Sequence, residues 1–216
     1  MGNLALIAKQ LGYEVVGTDH SIYSPMREQL QNYEILALDG YNPEYLETKP
    51  DLVIVGNSIS RGNAIIENVI NNRIPYLSGP DWLRNHLIPQ KKVLAIAGTH
   101  GKTTTTAMAA HIFQYSGFDP GYLIGGVSNS AKQPAQFGKG DWFVLEADEY
   151  DSAFFDKRSK FLHYRPDILV IGNLEFDHAD IFDTFNDIKK QFKYLLRTIP
   201  ANGHVLINND CEELND

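Results

Sequence analysis

The sequence predicts an α/β protein built on parallel sheets, and three observations carry that expectation. Short apolar runs alternate with helical patterns through residues 1–90. An apolar run from Val93 to Ala97 ends in Gly98-Thr-His-Gly-Lys-Thr103 and passes at once into a helical pattern. Two later apolar runs, at 142–146 and 167–173, end in residues with carboxylate or amide side chains. Strands alternating with helices imply a mostly parallel sheet covered on both faces.

Residues 1–11 read as a helix, with Leu4, Leu6, Ile7 and Leu11 apolar and Gly12 as its stop. Strands are expected at 14–19, 33–39, 51–57 and 74–78, and helices at 24–31, 63–72 and 80–86. Gln90-Lys91-Lys92 is a polar hinge, so residues 1–90 and 91–216 are expected to form separate domains. The second opens with the strand at 93–97, then a helix at 103–116 that stops at Gly117. Strands at 142–146 and 167–173 come next, then a helix at 185–198. A turn at Pro200, Asn202 and Gly203 leads into a strand at 204–208. The first unit opens on a helix instead of a strand and glycine turn, and the second sheet breaks off after about four strands. The chain is therefore expected to be a piece of a longer polypeptide.

The chain has 216 residues, 43% hydrophobic and 21% charged, the balance of a folded soluble protein. A net charge of −8 argues against a nucleic-acid surface and asks for Mg²⁺ to mediate any nucleotide contact. No apolar run approaches the ~20 residues that span a bilayer, so no membrane partner is expected. No secretory leader is visible. Cys211 is the single cysteine, which rules out an internal disulfide and suits a reducing cytoplasm.

Strand, glycine-bent turn and helix together form a phosphate-cradling device. Backbone N–H groups wrap phosphate oxygens, and the helix N-terminus adds partial positive charge. Lys102 would reach the outer phosphates and the Thr103 hydroxyl would ligate Mg²⁺. The loop is a variant, because Ile96 stands where the strict motif has its first glycine. Four threonines in a row are poor helix formers, so either hydroxyls are wanted there or only Thr103 matters and the rest cap or pack. The alternative is a plain strand–turn–helix connection.

Glu146 ends the 142–146 strand and is the candidate acid for Mg²⁺, with Asp148, Glu149 and Asp151 after it; a solvated acidic loop reads the same way. Asn173-Leu-Glu175-Phe-Asp177-His178 closes the next strand, at the end where open α/β sheets bind ligands. There His178 could complete a metal shell or act as a general base, or be a surface histidine beside capping acids. The run 156–160, Asp-Lys-Arg-Ser-Lys, is a basic cluster that suits an anionic substrate or an exposed loop. In the first unit Asp19 ends a strand where an acid often holds a ribose, or else caps the next segment of chain. Ser58, Ser60 and Arg61 stand just past another strand end.

Gly98-Thr-His-Gly-Lys-Thr-Thr-Thr, then Glu146-Ala-Asp-Glu, then Asn173-Leu-Glu-Phe-Asp-His178 together resemble the Mur ligase family of cell-wall enzymes. The similarity runs over essentially the whole chain. Longer runs, from Glu146 to Phe161 and Gly56-Asn-Ser-Ile-Ser-Arg-Gly-Asn, are similar to the branch that recycles wall peptides. The resemblance implies a Rossmann-like UDP-sugar domain over 1–90 with its first strand missing, and part of a P-loop-type ATPase domain over 91–216. It implies ATP and Mg²⁺ as cofactors and UDP-N-acetylmuramate and a murein tripeptide as substrates, coupled through an acyl phosphate, with an alanine-adding ligase or a non-catalytic nucleotide-binding module as the alternatives. Gly98, Thr99, His100, Gly101, Lys102, Thr103, Thr104 and Asn173 would surround ATP. Thr103, Glu146 and His178 would hold metal, and Lys102, Glu146 and His178 would be catalytic. Asp19, Ser58, Ser60, Arg61 and His100 would face the substrate. Phe192 takes the place where some relatives carry a carbamylated lysine, so no carbamate is assigned. A piece of this extent is expected to have little ligase activity alone.

Overall fold

Six α-helices and twelve strands make up the described chain, residues 1–125, 133–176 and 182–214 of a computed structural model. They divide into two compact units, Met1–Trp82 with Asp151–Lys157, and Leu83–Tyr150 with Arg158–Asp216. Among the described residues no helix is long and apolar enough to cross a membrane.

The first unit runs α1 (Gly2–Gln10), β1 (Val16–Asp19), α2 (Met26–Asn32), β2 (Leu36–Asp39), β3 (Val53–Val55), α3 (Ala64–Asn71) and β4 (Tyr76–Ser78), and α4 (Gly79–His86) comes after it. β1 pairs with β2 and β3 with β4, both in parallel. The expected parallel pairing is present, as two separate pairs of strands only three or four residues long. Leu6 of α1 packs with Leu30 of α2 and with Ile35 in one apolar cluster. α3 begins where the Asn63 carboxamide oxygen accepts from the N–H groups of Ile65 and Ile66, satisfying donors that have no partner inside the helix. Its buried residues, Ile65, Ile66 and Val69, share one helical face.

The second unit is a six-stranded sheet. Its strands are β5 (Lys92–Ala97), β6 (Gly121–Leu123), β7 (Ala135–Gln136), β8 (Trp142–Glu146), β11 (Ile168–Ile171) and β12 (His204–Ile207), in the order β12-β11-β5-β8-β6-β7. Every pairing is parallel except β6 with β7. β5 is buried from Val93 to Ala97, as an interior parallel strand covered on both faces must be. Leu94, Ile96 and Val144 pack with Ala110 of α5 (Lys102–Tyr115), Tyr122 and Ile124. The alternate residues Val93, Ala95, Phe143, Leu145, Leu169 and Ile171 are buried as well, so both faces are covered. α6 (Phe185–Leu196) starts in a capping box between Thr184 and Asp187 and buries Ile188, Phe192 and Leu195 on one face. Phe192 packs edge-on against Phe161, with 5.3 Å between ring centres.

Four strands lie outside the sequence expectation. β6 is three residues long, and a Cβ on Gly121 would collide with the Phe137 carbonyl and the Phe143 ring. β7 contributes only two residues. β9 (Asp151–Ala153) and β10 (Asp156–Ser159) form a two-stranded ladder. The basic cluster at 156–160 is therefore largely a strand, with Asp156 and Ser159 buried and Lys157 and Arg158 exposed between them. Charge content hid a strand that pairing makes visible.

Phe143 is fully buried on β8. Phe143→Ala is expected to destabilise the second unit by about 3–5 kcal/mol, measured as a fall in the denaturant midpoint with unchanged slope.

Candidate phosphate-binding site

Strand register brings three segments to one end of the sheet. β5 lies between β11 and β8, with Ile171 opposite Ala97 and Glu146 opposite Ile96. The loop leaving β5, residues 98–101, is therefore flanked by Glu146 on one side and Asn173 on the other. C-terminal ends of parallel strands are where such sheets present ligand sites.

The loop bends at two glycines. Gly98 has φ +139°, and a Cβ there would stand 3.1 Å from the Asn173 carbonyl oxygen. Gly101 has φ +76° and caps α5. Between them the loop is fastened to the segment after β11. The His100 N–H donates to Asn173 Oδ1 at 2.8 Å, and Asn173 Nδ2 donates to the His100 carbonyl at 3.1 Å. The Glu175 N–H donates to Thr99 Oγ1 at 2.8 Å, and that hydroxyl donates to the Glu175 carbonyl at 3.3 Å. The Thr99 N–H reaches the Asn173 carbonyl at 3.3 Å. Asn173, expected around the nucleotide, thus commits both ends of its amide to the loop backbone.

Lys102 opens α5 and folds back over the loop. Its Nζ donates to the Gly98 carbonyl at 2.8 Å and the Thr99 carbonyl at 3.3 Å, and pairs with the Glu149 carboxylate at 3.2 Å. Thr103, Thr104 and Thr105 are exposed, while Thr106 is buried and donates to the Lys102 carbonyl at 2.8 Å. At least one threonine of the run therefore packs, with its hydroxyl bonded back to the preceding turn of α5.

Glu146 is half-buried at the end of β8, and its Oε1 accepts from the Gly125 N–H at 2.7 Å. A Cβ on Gly125 would stand 2.6 Å from Glu146 Oε2, so a side chain there would push the carboxylate aside. The acids beyond it are not a solvated patch. Asp148 Oδ2 takes a 2.6 Å ion pair from Lys160, and Glu149 is buried against Lys102. Tyr164 is buried nearby, and its hydroxyl is pushed far above its ordinary range by burial first and then by Asp148 and Glu146. His100 and Glu175, both exposed, stand 3.7 Å apart, a contact of little energetic weight. His178 lies outside the described residues.

In the first unit Asp19 Oδ1 accepts from the His20 N–H at 2.7 Å and from the Tyr41 hydroxyl at 2.9 Å. Ser58 and Ser60 are exposed. Arg61 forms a two-pronged pair with Glu67, with Nε and Nη2 each at 2.9 Å. That pair and the Gly62 N–H hold the Glu67 carboxyl down at about 2.

Sequence reasoning missed Gly125, and it named Glu149 and Lys160 without the partners the structure gives them. Gly125 carries a signal in the pair Gly125-Gly126 after an apolar run. Lys160 was visible only as one charge of the basic cluster. Nothing in the Glu146-Ala-Asp-Glu run itself says which acid turns inward.

A profile described as the Mur ligase middle domain matches residues 96–216, and one described as the Mur ligase family catalytic domain matches residues 1–90. The chain is 52% identical to the UDP-N-acetylmuramate–L-alanyl-γ-D-glutamyl-meso-2,6-diaminoheptandioate ligase of Escherichia coli strain K12, over 95% of this chain and 45% of that protein. It is 31% identical to the UDP-N-acetylmuramate–L-alanine ligase of Syntrophomonas wolfei, over 96% of this chain and 43% of that protein. A crystal structure of the UDP-N-acetylmuramate:L-alanyl-γ-D-glutamyl-meso-diaminopimelate ligase from Neisseria meningitides superposes with a TM-score of 0.94 at 46% identity, over all of this chain and 70% of that one. The chain spans under half the length of these two curated relatives.

Asn173→Ala removes both hydrogen bonds to the His100 peptide and is expected to cost about 1–3 kcal/mol of stability, read by denaturant unfolding. Glu67 should titrate near pH 2 by carboxyl NMR, against an ordinary value of 4.5. Because its folded pKa is lowered, its contribution to stability is present above that ordinary value and is lost as pH falls towards 2. Arg61→Ala should return the titration to the ordinary range.

Proposed function

The chain belongs to the Mur ligase family, and from that premise we propose that it carries the nucleotide-binding part of an ATP-dependent ligase. The reaction joins UDP-N-acetylmuramate to the tripeptide L-alanyl-γ-D-glutamyl-meso-diaminopimelate, in the cytoplasm, during reuse of wall peptides. The observation that carries this reading is the glycine-bent loop and helix start at the end of central β5, with Glu146 at the end of the adjoining strand. The 52% and 46% identities to ligases of that printed name favour the tripeptide over free L-alanine, for which the similarity is 31%.

The chemistry has two steps. A lactyl carboxylate oxygen takes the γ-phosphoryl group of ATP, giving an acyl phosphate and ADP. The tripeptide amine then attacks the acyl carbon, an amide bond forms, inorganic phosphate leaves with the C–O bond electrons, and the amine loses a proton. With the Thr99 and His100 N–H groups given to Asn173, the N–H groups from Gly101 to Thr103 at the helix start hold the β-phosphate, and Lys102 Nζ meets the charge on the moving phosphoryl group. His100, Thr104 and Asn173 line or fasten the same loop.

Glu146 and Thr103 offer hard oxygen donors, the ligand chemistry Mg²⁺ prefers, so the residues fit the ion. Bound there, Mg²⁺ would supply positive charge to neutralise the triphosphate. His178 is assigned with Glu146 to a second such ion. Residues 1–90 are assigned to the UDP-sugar, with Asp19, Ser58, Ser60 and Arg61 on its side. Arg61 would meet that ligand with its guanidinium already oriented by Glu67.

The test is a coupled assay of the full-length protein with UDP-N-acetylmuramate, ATP–Mg²⁺ and the tripeptide. One ADP and one phosphate should appear per amide formed, and Lys102→Met should lower kcat by at least about 10²-fold. Preference for free L-alanine over the tripeptide, or product formed without ATP consumption, would overturn the reading.

A further inference from the structure

Burial alternates from residue to residue past the end of β8, where the chain leaves the two-sided cover of the sheet. Ala147 and Glu149 are buried, while Glu146, Asp148 and Tyr150 are only half-buried. The alternation turns one acid of the Glu146-Ala-Asp-Glu149 run inward, where 2% of its side chain is exposed. Its carboxylate oxygens stand 3.2 and 3.4 Å from Lys102 Nζ, and the lysine side chain is itself only 14% exposed.

Lys102 also donates to the Gly98 and Thr99 carbonyls, at 2.8 and 3.3 Å. An ammonium group has three protons, and these three partners occupy them all. A phosphate oxygen can be met only if one partner is released. Releasing Glu149 would pull a buried carboxylate and a largely buried ammonium apart, next to arriving phosphates, a costly exchange. Releasing a neutral loop carbonyl costs far less, and Thr99 makes the longer of the two carbonyl contacts.

We propose that Glu149 is a positioning residue for Lys102, holding Nζ in place while the Thr99 carbonyl is exchanged for a phosphoryl oxygen. The role rests on the reading of this loop as a phosphate site. The Glu149 charge repels an anionic nucleotide, and the lysine it holds attracts one, so the two effects oppose each other in ground-state binding. Neutralising Glu149 therefore changes nucleotide affinity little. What is lost is the aim of Nζ at the group in transit, and misplacement by about 1 Å costs ~10²-fold in rate.

Glu149→Gln keeps the shape and an acceptor oxygen and removes the charge. In the full-length protein, with thermal unfolding as the check on folding, it should lower kcat about 10²-fold. Affinity for ATP–Mg²⁺, measured by equilibrium dialysis, should stay within about threefold of the parent, less than one tenfold step in affinity. If Glu149→Gln does not fold, Glu149→Asp, which draws the charge back by one methylene, must show the same split between kcat and affinity. A kcat within about threefold of the parent, or a loss of kcat matched by an equal loss of affinity, overturns the positioning role. Lys102→Met, run alongside, separates the two ideas. If it alters neither kcat nor ATP affinity, the phosphate-loop reading itself has failed.

Discussion

A glycine-containing loop has many conformations, and the shape of this one is held by hydrogen bonds from a different strand. Asn173 closes a ring with the His100 peptide, and Thr99 closes a second with the Glu175 backbone. The partners are more than seventy positions apart in the chain. Ordering such a segment costs conformational entropy that its own residues do not offset. The compensating contacts come from β11 lying beside β5, so the loop takes its form only when that pairing exists. Gly98 belongs to the same constraint, because its missing side chain is what lets the Asn173 backbone come so near.

The acids that follow β8 in the chain are matched to cations to different depths of burial. The chain carries a net −8, yet three acids after β8 are each matched to a lysine. Glu149 pairs with Lys102, Asp148 with Lys160, and Asp151 with Lys157. The pairs differ in weight. Asp151–Lys157 is exposed on the lysine side and is screened by solvent, so it adds little. The other two pairs are largely withdrawn from water, where an unmatched partner would be strongly destabilising. Glu146 meets a backbone N–H in Gly125 and keeps its carboxylate at the strand end.

Much of the second unit is legible from residue order because its signals are local. The apolar run before Gly98, the glycines at 98 and 101 and the helix expected from Thr103 are read from adjacent positions, and each matches the element found to within a residue. α6 declares itself by its apolar spacing. The short strands β6 and β7 and the ladder of β9 with β10 do not, since each carries glycine, polar or charged residues where an apolar run would have marked it. Arg61 shows the same limit on a small scale. Its engagement with Glu67 depends on where α3 begins, which its own neighbourhood does not reveal.

Residue order by itself determined the α/β class, the strand–loop–helix device and the chemical types gathered at strand ends. These arise from patterns within a few residues: apolar spacing, glycine placement and an ammonium group beside a bend. Tertiary structure alone decided which acid turns inward to Lys102, and that Asn173 fastens the loop backbone. Both outcomes depend on strand order and register, which are set by contacts between segments tens of residues apart. Local sequence carries no record of those distances, and the hydrogen bonds that decide them form only once β5, β8 and β11 lie side by side.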